Sequence, residues 1–352
     1  MKKISIFGLA MTFAGCFLGA GYVSGQELWQ FFGSFGKNGL AGLILAMLLM
    51  FAFGAILLWL TMKTGITEMD AIVINWDIPW LKNAVGIIET VFLFCVYIIM
   101  AAGTASLIEQ MLGIPRIIGG AVFCALVVLV SMRGVDGMIR VFSCIVPILV
   151  VCTVLIGGYI VVTEGFSEIP EAQPVKNPLI SNWIFSAGTY VAYNIFGSVG
   201  ILTPVGLRID GNKKLIKGLA GGVLLLMLIA GSILSALWAM PEASGEALPM
   251  LTLACNVHMA VGYGYAFLLF CGMFGGSLSA VVALDEYLKQ KIRFFAKHRM
   301  LMIVAMSVLA WAGSLVGFSE LIGTVYPIFG YFGIAALILI TVHYCKVRKK
   351  RV

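Results

Sequence analysis

Apolar residues run along this chain in long blocks, not in the alternation of a strand or the narrow stripe of a soluble helix. Ten blocks reach the length of about 20 residues that a helix needs to cross a bilayer. They cover 5–33, 39–62, 83–111, 114–132, 140–162, 181–206, 215–240, 257–284, 299–317 and 321–345. The first block is interrupted. The run Gly15-Cys16-Phe17-Leu18-Gly19-Ala20-Gly21-Tyr22-Val23-Ser24-Gly25-Gln26-Glu27 holds four glycines in eleven residues, and each weakens a helix by roughly 1 kcal/mol relative to Ala. In lipid, unwound backbone survives only against protein or a watery cavity. The sixth block carries a second polar, glycine-rich run, Tyr193-Asn194-Ile195-Phe196-Gly197-Ser198-Val199-Gly200, followed by Pro204 and Gly206. Both blocks are therefore expected to be broken helices.

Five blocks precede the segment 164–181, with its Pro170, Pro174 and Pro178, and five follow it. An odd number per half makes the second half insert upside down relative to the first, and breaks at matching positions point to a central binding site. The expected fold is an all-α membrane protein: ten transmembrane helices as a five-plus-five inverted repeat with helices 1 and 6 broken. The expected division is 1–177 and 178–352. The segment 64–82, with Trp76 and Trp80 around Pro79, is expected to lie along the inner interface.

Composition agrees. The 352 residues are 61% hydrophobic and 11% charged, with mean hydropathy +1.05, which excludes a soluble domain. The net charge of +7 is distributed in the loops. With the N-terminus inside, twenty of the 23 Lys and Arg fall on the cytoplasmic side, and only Lys37, Arg116 and Lys176 fall outside. This accounts for the basic balance without nucleic acid. It predicts a multi-pass protein of the cell membrane with both termini cytoplasmic, in contact with lipid. The start reads as a retained first span, not a cleaved signal. Eight cysteines lie mostly in apolar blocks with no CxxC or Cys/His pattern, so they read as small buried hydrophobes and no metal site is expected. No metalloprotease, nucleophile-elbow or phosphate-binding motif is present, so no enzyme and no cofactor are expected beyond a coupling Na+ or H+.

Ionisable groups inside spans are functional candidates by default. Glu27 directly follows the first break and could accept a proton, pair with a cation of the substrate, or simply be stabilised by the helix dipole at a half-helix N-terminus. Glu89, inside the third block, suits a cytoplasmic gate or a pair with a loop Arg. Asp285 and Glu286 stand at helical spacing from Lys289 for ion pairs.

Ten blocks, the two interruptions and the Gly15-x-x-x-Gly19-x-Gly21 spacing resemble the amino acid–polyamine–organocation superfamily with its leucine-transporter fold. The opening FAGCFLGAGYVSGQELWQFF is similar to the YkvI-type bacterial membrane proteins. The resemblance implies a substrate site at the backbone of Gly19, Ala20 and Gly21, completed by Tyr193, Asn194, Gly197 and Ser198, with Tyr97 of the third helix covering the solute. It also implies a sodium site joining the carbonyls of Gly15 and Leu18 to Ser277. Ser277 and Ser279 stand two apart and point to different faces, so only one of them, Ser277, is expected at such a site. The function implied is a cation-coupled symporter of a small polar solute, an amino acid or related amine. The alternative is a transporter-like receptor that binds such a ligand without moving it.

Overall fold

A backbone in lipid must satisfy its own hydrogen bonds, and the apolar blocks do so as helices. The computed structural model describes residues 3–66, 68–133, 136–165, 169–171, 177–291 and 297–349, and no strand occurs among them. Helices run as α1 Ile6–Phe17, α2 Ala20–Val23, α3 Gln26–Phe31, α4 Gly36–Thr64, α5 Met69–Val73, α6 Pro79–Leu112 and α7 Arg116–Arg133. They continue as α8 Asp136–Glu164, α9 Trp183–Gly206, α10 Asn212–Ala239, α11 Pro249–Val257, α12 Met259–Lys291, α13 Arg299–Ser314 and α14 Phe318–Lys349. Among the described residues, six stretches are long and apolar enough to cross a membrane: Gln26–Thr64, Pro79–Leu112, Pro147–Glu164, Asn212–Ala239, Met259–Asp285 and Phe318–Lys349. Ile6–Phe17, Arg116–Met132 and Arg299–Ser314 are shorter apolar helices. Pro174 and Lys176, named above, and Lys2, Arg293, Lys350 and Arg351, which are among the twenty cytoplasmic Lys and Arg, lie outside the described residues.

Local chemistry sets the ends. Ser5 caps α1 by accepting the Gly8 N–H at 2.9 Å, and Asn182 caps α9 by accepting the Phe185 N–H at 2.9 Å. Pro79 opens α6, and the left-handed glycines Gly65 and Gly113 close α4 and α6. Outside the first helix, Ile4 N–H donates to the Arg208 carbonyl at 2.9 Å, and Lys3 bonds Asp210 at 2.7 Å, fastening the N-terminus to the turn between α9 and α10. The bond from Lys3 and its charge hold the Asp210 carboxyl below its usual range. The Lys3–Asp210 pair is therefore present at neutral pH and is lost only as pH falls through that lowered value, while the Ile4–Arg208 backbone bond does not titrate.

The interior is made by a few long contacts. α9 packs against α4 and α14, α12 against α6, and α10 against α1 and α8. Lipid tails are as apolar as Leu, so helices in a membrane associate by close packing of small residues. Gly333 of α14 shows how close: a Cβ there would stand 2.5 Å from the Ala192 carbonyl of α9. Large apolar side chains such as Phe7, Leu155, Val162 and Leu224 face outward, as expected against lipid.

The structure corrects one expectation. α9 is a continuous helix from Trp183 to Gly206 with Pro204 inside it, so the sixth block is not broken. Its polar residues bond back along their own helix: Asn194 Nδ2 donates to the Tyr190 carbonyl at 3.0 Å, and Ser198 Oγ to the Ile195 carbonyl at 3.0 Å. Gly197 is there for packing, because the Phe92 ring occupies the space its Cβ would need. Tertiary packing outweighs the low helix propensity of this run. Three elements were not anticipated, the 3-10 turns at Gly33–Phe35 and Pro241–Gly245 and α11. The interfacial segment holds α5, which His343 of α14 contacts through its Nδ1 and the Ile72 carbonyl at 2.9 Å. Asp285 is bonded by Arg299 of α13 at 2.8 Å; the Glu286 and Lys289 side chains lie outside the described residues.

Replacing Gly333 with Ala is expected to cost about 1–3 kcal/mol by overpacking, read as a lower melting temperature in detergent. Gly188→Ala on α9 is the control. A Cβ there meets nothing within 4 Å, so the helix should be unchanged or gain up to about 1 kcal/mol.

Candidate functional site

The first helix breaks twice. α1 ends at Leu18, Gly19 is extended at φ −76° and ψ 174°, and four helical residues follow as α2. The chain then turns through Gly25 at φ +85° into α3. Only glycine takes that left-handed conformation without strain, and a Cβ there would stand 3.2 Å from side-chain atoms of Ile233 and Met250.

Each break frees backbone groups that lipid cannot satisfy. Their partners come from distant helices. Tyr265 Oη of α12 donates to the Val23 carbonyl at 2.7 Å, and Thr153 Oγ1 of α8 lies 2.9 Å from the same phenol oxygen. The Met250 N–H of α11 donates to the Ser24 carbonyl at 2.8 Å, and Ser24 Oγ donates to the Gly21 carbonyl at 3.1 Å. Tyr22 Oη donates to the Leu226 carbonyl of α10 at 2.7 Å. The segment 18–25 is thus held in place by α8, α10, α11 and α12.

Glu27, in the first turn of α3, is 3% exposed. Tyr193 Oη of α9 donates to its Oε1, and Asn194 interacts with the same carboxylate. A Cβ on Gly21 would stand 2.6 Å from Glu27 Oε2, so the glycine gives the carboxylate its room under α2 and a side chain there would displace it. The Tyr193 ring stacks on Tyr326 of α14 at 4.6 Å between centroids and 14° between planes, and meets Tyr190 edge-on at 5.7 Å. Among the described residues no Lys or Arg forms an ion pair with Glu27. The hydroxyl of Tyr190 and the Oε1 atoms of Gln26 and Gln30 are buried without a hydrogen-bond partner. A buried carboxylate bonded by Tyr193 and walled by tyrosine rings can take up a proton or the ammonium group of a ligand.

Of the residues expected at a binding site, Gly21, Tyr193 and Asn194 adjoin Glu27, while Gly19 faces Met100. Gly197 and Ser198 lie further along α9, engaged in packing and in a bond to their own helix. Tyr97 is not at the site. It is fully buried in a separate cluster with Phe123, Cys124 and Leu278, where its hydroxyl bonds Ser307 of α13 at 2.9 Å. One turn along α6, Met100 takes the position expected of it: its side chain is 4.0 Å from a Cβ built on Gly19 and 3.6 Å from one on Gly276. Ser277 is fully buried and its hydroxyl has no partner, while Ser279 donates to the Gly275 carbonyl of its own helix at 2.9 Å. Gly15 is exposed, and a side chain there would meet nothing within 4 Å. Sequence reasoning missed Tyr265, Thr153, Tyr326 and Met100, because an isolated Tyr, Thr or Met in an apolar block carries no motif.

No protein-family model matches the chain. Over 341 residues it is 27% identical to the uncharacterized membrane protein YkvI of Bacillus subtilis, covering 95% of this chain and 94% of the relative. The uncharacterized protein YyaD of the same organism is 26% identical over 342 residues, covering 94% of each. Among solved structures, the inward-facing conformation of Mhp1 superposes with a TM-score of 0.65 at 14% identity, over 96% of this chain and 76% of that one. A manganese transporter of Eremococcus coleocola gives 0.60 at 12% identity, over 97% and 78%. The fold is therefore that of Mhp1, in agreement with the leucine-transporter likeness read from the sequence, and the chain is a multi-pass helical membrane protein.

Tyr265→Phe removes the donor to the Val23 carbonyl and leaves a buried acceptor unmet. The expected loss is about 1–3 kcal/mol, measured by thermal unfolding, and Thr153→Val is expected to be milder because the Val23 carbonyl keeps its Tyr265 donor.

Proposed function

We propose that this protein is a cation-coupled secondary transporter, carrying a small polar solute of the amino acid or related amine class by alternating access. In this reading ten helices cross the membrane as an inverted repeat, 1–177 and 178–352, with both termini in the cytoplasm on the side of the basic loops. The observation that carries the reading is Glu27: a buried carboxylate beside an interrupted helix, bonded to Tyr193 of a different helix. Such a group is costly in lipid when it stands alone. A proton or a solute ammonium group removes that cost, and its arrival or departure changes what α3 and α9 offer each other.

Backbone groups at Gly19, Ala20 and Gly21 would take the polar end of the solute, as in transporters with discontinuous helices. The fold supports the reading and leaves the cargo open. Mhp1 is described as a nucleobase-cation-symport-1 family transporter, seen with bromovinylhydantoin bound, and another neighbour as a manganese transporter. Among the described residues no group of three His, Cys, Asp or Glu could hold a metal ion, so manganese is not carried over.

Two couplings follow from two observations. Glu27 supports a proton. The buried, unpartnered Ser277 hydroxyl supports sodium, with the Gly15 and Leu18 carbonyls as further oxygens.

The test is uptake into proteoliposomes together with thermal-shift binding of amino acids and amines, with and without sodium, at two pH values. Glu27→Gln is expected to abolish the pH dependence of uptake; an intact pH profile excludes Glu27 as the proton carrier. A hit that requires sodium and is lost in Ser277→Ala assigns sodium instead. Gly19→Leu or Gly21→Leu should abolish binding in a folded protein, and ligand binding with no flux would favour the receptor reading.

A further inference from the structure

The face of α9 that meets Glu27 continues toward the basic end of the bundle. Tyr193, Gly197 and Gly200 stand four and then three residues apart, so they share one side of the helix. Each is met by a different group. Tyr193 Oη donates to Glu27. The Phe92 ring of α6 occupies the space that a Cβ on Gly197 would need. Glu89, one turn earlier on α6, places its Oε1 3.4 Å from a Cβ built on Gly200. Two carboxylates inside the spans thus border one stripe of α9, about 10 Å apart along its axis, with an aromatic ring between them.

The ring is held on three sides. Phe92 is buried, meets Phe329 of α14 edge-on at 4.8 Å between centroids, and meets Phe196 of α9 at 6.3 Å. Three buried rings without a polar atom form a constriction that excludes water and ions. Beyond it Glu89 is half-buried, and among the described residues it has no hydrogen bond and no ion pair. Asp70 of α5 acts on it with like charge. The other groups nearby are occupied: His343 of α14 with the Ile72 carbonyl at 2.9 Å, Arg299 of α13 with Asp285 of α12 at 2.8 Å, and Lys82 with Asp77 at 3.5 Å. Lys346 lies 4.3 Å over the Trp76 ring, which puts the segment after α5 at the basic end of α14. A carboxylate within a span, beside a like charge and with no cation on it, is a site for a proton.

We propose that Glu89 is a second proton site, on the basic side of the central region, and that Phe92 seated against Gly197 is the gate that separates it from Glu27. The transfer step, though not the gate, rests on the reading of Glu27 as a proton carrier. With the ring in its notch the two carboxylates are insulated from each other. With the ring withdrawn, water enters between them. Neutral Glu27 then gives its proton to water and water gives one to the Glu89 carboxylate, leaving Glu27 charged and Glu89 neutral. The notch is a missing side chain, so the ring leaves it without any change in α9.

The test reads proton flux directly and needs no identified solute. Purified full-length protein is reconstituted into liposomes holding a pH-sensitive dye, and a potassium diffusion potential is imposed. Without solute the parent is expected to be tight to protons and Phe92→Ala to leak, while Phe92→Leu, which keeps the notch filled, stays tight. Glu89→Gln added to Phe92→Ala is expected to abolish the leak. Variants are compared only where their melting temperature matches the parent; Phe329→Ala, which opens the same constriction, replaces Phe92→Ala if that variant does not fold. A folded gate variant as tight as the parent overturns the gate. A leak that survives Glu89→Gln overturns Glu89 as a proton site. A leak lost in Glu89→Gln and kept in Glu27→Gln upholds the gated site and counts against Glu27 as the carrier, which separates failure of this proposal from failure of the proton coupling at the central site.

Discussion

The constraint on which the rest depends is the unmet backbone of the interrupted first helix. Water would satisfy the carbonyls of Val23 and Ser24 in a soluble protein; a membrane interior does not. They are met by Tyr265 of α12 and by the Met250 amide of α11, while Tyr22 reaches α10. The positions of α10, α11 and α12 relative to α2 are therefore set by hydrogen bonds as well as by packing. Holding an unwound segment this way leaves α3 pointing its first turn, and with it Glu27, into the interior toward α9.

Glu27 shows how much a single charge shapes its surroundings. Its burial is made tolerable by the Tyr193 hydroxyl, by the start of α3 and by the missing side chain at Gly21. The nearby tyrosines belong to three separate stretches of chain: Tyr22 on α2, Tyr190 and Tyr193 on α9, and Tyr326 on α14. Each supplies apolar bulk with one polar atom at the tip, a combination that lets a membrane core be close-packed and still carry hydrogen bonds.

The helices were legible because bilayer thickness sets block length, and each of the ten blocks contains a helix in the structure. The break at Gly19 and Gly25 was legible because glycine has a large local cost in a helix. The same logic misread α9: Gly197 and Gly200 resemble a break, yet Gly197 makes way for Phe92, and Asn194 and Ser198 bond to their own helix. Composition does not distinguish a glycine that unwinds from one that lets a neighbour approach. Glu27 stood out because a charge in an apolar block is rare. Tyr97 was misplaced by one turn of α6, where Met100 faces Gly19 instead, and side-chain direction on a fully apolar helix is not recorded in its sequence. Tyr265 and Thr153 could be recognised only once α8, α12 and α2 had been brought together in space.

The unbroken α9 also bears on what the helices present to the interior. Its backbone touches that of α14 at Gly333, and its far end is fastened to the N-terminus through Arg208 and Asp210. The interruption at residues 18–25 therefore has no counterpart in the middle of α9, so the first helix offers the interior free backbone groups where α9 offers side chains.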